Sequence, residues 1–65
     1  MEKMVQLIVL DGDTFEPIYN VDEDGNPTFD TPLIPIGKAM KYQKEAYRFQ
    51  EMIETGWRNE FVIEE

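Results

Sequence analysis

Carboxylates are the only side chains present in number that could carry chemistry in this 65-residue chain, which has fourteen Asp and Glu, six Lys and Arg, and no His, Ser or Cys. Asp11 and Asp13 stand two apart, Asp22, Glu23 and Asp24 are contiguous, and Asp30 follows six residues after Asp24. Paired carboxyls hydrolyse glycosides when a cleft holds them roughly 5 to 9.5 Å apart. The absent residues exclude Ser-His and Cys-His nucleophiles, imidazole and thiolate metal sites, and any disulfide framework. A domain near this size buries only about 60% of the surface its unfolded chain exposes, which leaves little room for such a cleft. The expectation is a protein that is not an enzyme and carries no cofactor.

From Asn20 the run Asn-Val-Asp-Glu-Asp-Gly places oxygen ligands at positions one, three and five and glycine at six. In that half it resembles an EF-hand calcium loop. The pattern then stops, because position twelve is Thr31 and Asp30 falls one place early. Asp and Gly are also the ordinary residues of a tight turn. The turn is the reading adopted, with no metal.

The charge is unevenly distributed. Residues 37 to 55 balance to +1 and the remainder carries −9, within a total of −8. A surface this acidic repels nucleic acid and anionic membrane, so the partner it implies is a protein with a basic surface, with no direct nucleic-acid or membrane contact. In size and charge the chain resembles the small acidic nucleic-acid mimics that phages deploy against restriction, CRISPR and repair enzymes. On that resemblance the acids at Asp11, Asp13, Asp22, Glu23, Asp24 and Asp30 would imitate a phosphate track and block a basic groove, as an inhibitor or adaptor does. The same acids also serve solubility and edge protection.

These acids need elements to position them. Val5 to Leu10 is rich in β-branched residues and stops at Asp11-Gly12-Asp13, which predicts a mostly buried strand. Phe15 to Val21 alternates as a second strand, with Pro17 marking an edge or a bulge. A turn at Asp24-Gly25 leads to a short third strand near Pro27 to Asp30. Thr31 to Ile36, with two prolines, reads as an extended connector carrying apolar side chains inward.

A helix is expected from Gly37, with Ala39, Tyr42, Ala46, Phe49 and Ile53 in one apolar stripe, Gly56 as its C-terminal cap and Trp57 as a core plug. Trp57 to Ile63 alternates as the last strand. The expected fold is a single α+β domain: a four-stranded mixed sheet in the order β-β-β-α-β, spatial order 3-2-1-4, with the last strand parallel to the first and one helix on one face.

Two faces are left to interpret. Met40 and Tyr47 lie on a helix flank with Gln43 and Gln50, a face suited either to docking a partner or to covering a sheet edge. The first strand points apolar residues both ways, so its second side invites a connector, a partner or a second copy. The alternative function is therefore a small homo-oligomer, a homodimer joined through the open sheet face or an edge strand. Lys38, Lys41, Lys44 and Arg48 run against the helix dipole, which suggests compensation by the protein's own acidic turns. The only strongly apolar run is too short to span a bilayer, which needs about 20 residues, and no secretory pattern is read at the start, so the cytoplasm is the expected location.

Overall fold

The computed structural model describes residues 2–52 and 58–65. Its centre is β1 (Met4–Asp11), which pairs antiparallel with β2 (Pro17–Val21) along Leu7↔Val21, Ile8↔Asn20 and Val9↔Tyr19. The two-residue β3 (Pro27–Thr28) continues the sheet beyond β2. On β1 there also pair the two-residue β4 (Ile34–Pro35) and the last strand, β5 (Asn59–Glu64). The order β3-β2-β1 followed by the last strand, with one helix α1 (Ile36–Met52) on one face, is the expected α+β arrangement. Between Val9 and Leu10 the register slips so that Leu10 faces Pro17, leaving Ile18 as the extra residue of a bulge where Pro17 called for one.

One expectation is corrected. The sheet is antiparallel throughout and not mixed, because β5 runs Gln6↔Glu64 to Asp11↔Asn59 against β1. The cause is the connector. Ile34 and Pro35 do not merely fill space but pair with Val5 and Met4 at the start of β1. That return carries the chain back to the opposite end of the sheet before the helix begins, so the helix travels the other way and β5 comes back reversed. One additional traverse inverts the parity of everything after it.

Val5, Leu7 and Val9 are fully buried on the helix-facing side, with Val21, Ile34 and Ala39 completing the core. Burying a side chain of this kind contributes about 1.5 to 3 kcal/mol. The helix starts where Pro35 ends the extended segment. Its first amides are satisfied from the N-terminal residues: Ile36 N–H donates to the Lys3 carbonyl at 2.8 Å and Gly37 N–H to Glu2 Oε1 at 2.9 Å. A carboxylate here both caps a free donor and meets the positive end of the helix dipole. A Cβ at residue 37 would stand 2.5 Å from that Glu2 oxygen, so glycine leaves the carboxylate its place. Lys38 pairs with Glu23 at 3.2 Å, the compensation by an acidic turn that its position near the helix start calls for.

The apolar stripe of the helix is only half used. Ala39 is buried and Tyr42 and Ala46 are partly covered, but Phe49 is 63% exposed. Ile53, Gly56 and Trp57, expected as stripe, cap and plug, lie outside the described residues. On the other side of the sheet the connector does not close the surface: Ile8 and Leu10 are half-buried, while Ile18 and Val62 remain exposed. Among the described residues no helix is long and apolar enough to cross a membrane.

Candidate protein-interaction surface

An edge strand exposes a row of unpaired amides and carbonyls. Helix side chains occupy that row on β5. Gln50 Nε2 donates to the Asn59 carbonyl at 3.1 Å and Gln50 Oε1 accepts from Asn59 N–H at 2.8 Å, a reciprocal pair of the kind a neighbouring strand would make. One turn earlier the Tyr47 hydroxyl accepts from Phe61 N–H at 2.9 Å. Its own proton goes to the Phe61 carbonyl at 3.2 Å or to Glu60 Oε2 at 3.1 Å, one at a time. Gln43 donates to the same carbonyl. Gln43, Tyr47 and Gln50 recur at steps of four and three, so they form one row along the helix. The ring of Tyr47 meets Phe61 edge-on, with centroids 5.6 Å apart.

Tyr47, one of the expected partner anchors, is thus placed against β5, while Met40 is 56% exposed. Tyr47→Phe is expected to cost about 1 to 2 kcal/mol, since it strips Phe61 N–H of its acceptor, and urea denaturation checks this. Burial raises the Tyr47 pKa above its ordinary 10.0, opposed by the Phe61 backbone bond and assisted by Glu60. The hydrogen bond to Glu23 raises Lys38 above 10.5. A group whose folded-state pKa is raised contributes stability that is complete below the unfolded value and is lost as pH climbs through the folded one. The urea midpoint should therefore fall on the alkaline side of 10.0, and less steeply in Tyr47→Phe.

The acids of the sequence fall into separate groups. Asp11 Oδ1 accepts from the backbone of Asp13 at 2.8 Å and Thr14 at 3.2 Å, closing the β1–β2 turn. Asp22 Oδ1 accepts from Asp24 at 3.0 Å and Asn26 at 2.8 Å, closing the β2–β3 turn. These two carboxylates build their loops. The turns lie at opposite ends of β2, a strand of five residues spanning about 15 Å. That is more than a Debye length of about 8 Å, so each turn presents its own field. Asp13, Asp24 and Asp30 are exposed and their carboxylates accept no hydrogen bond from the described residues. The structure does not gather Asp11 and Asp13 with Asp22, Glu23 and Asp24 into one cluster.

Those arrangements bear on the calcium-loop resemblance. Asn20 is a strand residue whose Nδ2 donates to Gln6 Oε1 at 3.3 Å, and the Asp22 carboxylate is engaged by its own loop. Among the described residues no group of three or more acids is arranged to share a cation.

The helix lies over β1, β4 and β5 and does not reach β2 or β3 with its backbone. Beside the helix the described residues leave a groove of about 310 Å³. Leu7 and Phe61 form its floor, Tyr19, Val21 and Pro27 one wall, and Tyr42, Ala46 and Phe49 the other. Tyr42 fixes its near end, donating to the Glu23 carbonyl at 2.8 Å and resting 3.4 Å from the place a Cβ would take at Gly25. Gly25 has φ of 85°, a conformation that glycine tolerates, and it turns the acidic loop over against the helix. Glu45 joins the groove lining, while Lys44 and Arg48 line the opposite flank of the helix, beside Tyr47. The groove thus has an acidic rim. The stripe pattern contained this feature in one respect, since it carries more apolar residues than one half-sheet covers, but the offset of the helix from β2 is not visible in residue types.

Comparison with protein-family models, with curated proteins and with solved structures finds no match to this chain.

Proposed function

We propose that this chain is a non-catalytic protein-interaction module that docks on a basic surface of a larger protein and acts by occupying it, as an inhibitor or adaptor. The observation that supports this most is the apolar groove with an acidic rim, in which Phe49 stands 63% exposed on one wall and the turn that carries Asp22, Glu23 and Asp24 closes the end at Tyr42. An aromatic at the lip of a concave apolar surface is the kind of anchor that sets residence time, and surrounding acids raise the rate of encounter with a basic partner. Blocking a nucleic-acid-binding surface, as phage mimics do, is the specific form this would take.

The homo-oligomer reading keeps one route and loses support for the other. Helix side chains already occupy the β5 edge, which leaves the outer sheet face. That face is not continuously apolar, because Gln6 and Asn20 bond across it.

The test is affinity capture at low salt, followed by measured affinity for the captured protein across salt concentrations. Asp13→Lys, Asp24→Lys and Asp30→Lys are the variants of choice, since these side chains hold no turn together. Affinity should fall with salt and with each reversal near the contact. Binding indifferent to salt, or unchanged in all three variants, contradicts the proposal.

A further inference from the structure

We infer that the groove between α1 and the β2–β3 arm receives an amphipathic α-helix of the partner, with an apolar stripe facing Tyr19 and Phe49 and basic residues along its flanks. This rests on the interaction-module reading and specifies its ligand. Three observations select the occupant.

The first is space. A four-stranded sheet is roughly 15 to 19 Å wide and a helix with its side chains about 10 Å across, so such a sheet accepts two helices side by side. Among the described residues this one carries a single helix, over β1, β4 and β5. The groove beside it is bordered by Tyr19, Val21 and Pro27 on one side and by the 63% exposed Phe49 on the other.

The second is backbone supply. An extended segment docks by pairing with a free strand edge. Here the β5 edge is taken by Gln43, Tyr47 and Gln50, and β3 has two residues. A ligand entering the groove must satisfy its own amides and carbonyls, and a helix does so internally.

The third is charge. Glu45 lies in the groove and the Asp22–Asp24 turn closes its end, in a chain of net charge −8. A second copy would bring another −8 to the same place, whereas a basic helix neutralises the rim.

The test uses three synthetic peptides of about 18 residues, or five helical turns. One has Leu and Lys at helical spacing, one has the same composition alternating as a strand would, and one has Leu and Glu at helical spacing. Each is titrated into the isotope-labelled full chain and followed by NMR. The Leu/Lys helix is expected to bind saturably and shift Leu7, Tyr19, Val21 and Phe49. Phe49→Ala should weaken it by about tenfold, while Phe29→Ala, which removes a 91% exposed ring outside the groove, leaves it unchanged.

Equal or tighter occupation of the groove by the alternating peptide overturns the helical ligand and leaves the interaction-module reading standing. Cationic peptides that perturb only Asp13, Asp24 and Asp30, or none that binds at all, overturn both. Equal binding of the Leu/Glu helix removes the charge argument and with it the basic partner. Groove signals that move on diluting the chain alone assign the groove to a second copy instead.

Discussion

Leu7→Ala is expected to destabilise the protein by about 3 kcal/mol, within the 2 to 5 kcal/mol typical of Leu→Ala in a core. Leu7 is fully buried at the middle of β1 and faces Val21 on one side and Ile63 on the other. It packs in one core cluster with Val21 and Ala39, so the lost methyls leave a cavity between sheet and helix. A domain of this length has a total stability of about 3 to 10 kcal/mol. The substitution therefore removes a large share, and the melting temperature should drop by roughly 10 to 20 °C. Thermal denaturation followed by circular dichroism measures it. A shift of only a few degrees would mean that the core does not centre on β1.

The second large effect is expected from Gly12→Ala. A Cβ at this position would collide with the backbone oxygen of Arg58 and stand 2.9 Å from its carbonyl carbon. No rotamer change relieves a clash with backbone, so the end of β5 must move away from the end of β1. That motion strains the Asp11↔Asn59 pairing and the two bonds from Gln50 to Asn59. The cost should be about 2 to 3 kcal/mol, at the upper end of ordinary overpacking. Urea denaturation gives the loss, and amide exchange locates it, with faster exchange at Asn59 and Phe61 while Val21 keeps its protection. An unchanged midpoint would show that the two strand ends are not in contact.

Gly12 also marks what residue types alone cannot convey. Its role depends on Arg58, far away in the chain, and nothing around position 12 other than a turn pattern points there. The same holds for Glu2, whose carboxylate caps a helix that begins thirty-four residues later. Local signals did carry the elements: the β-branched run of β1, the Asp-Gly turns and the 3.6-residue stripe each specify their own conformation. The bulge at Pro17 was legible for the same reason, because a missing amide is a property of one residue.

The direction of the last strand was not legible. It turns on whether Ile34 and Pro35 pair with β1, and a strand of two residues gives no periodicity to read. The surface was legible in the same uneven way. Asp and Glu at turns announce a charged surface, but residue types do not reveal that the Asp11 and Asp22 carboxylates close their loops. Tyr47 fitted a docking face and an edge cover equally well by sequence, and its bonds to Phe61 place it on the edge. Phe49 sat in the apolar stripe and was expected inside. The helix is displaced from β2, and the ring stands exposed on one wall of the groove.

Partner contact is expected to centre on this groove and its acidic rim. Hydroxyl-radical footprinting of the complex with its captured protein tests this most directly, since it reports aromatic accessibility residue by residue. The expected result is strong loss of reactivity at Phe49, Tyr42 and Tyr19, with Phe15 and Phe29 unchanged. Protection confined to Ile8, Leu10, Ile18 and Val62 on the outer sheet face, with Phe49 as reactive as in the free chain, would contradict it.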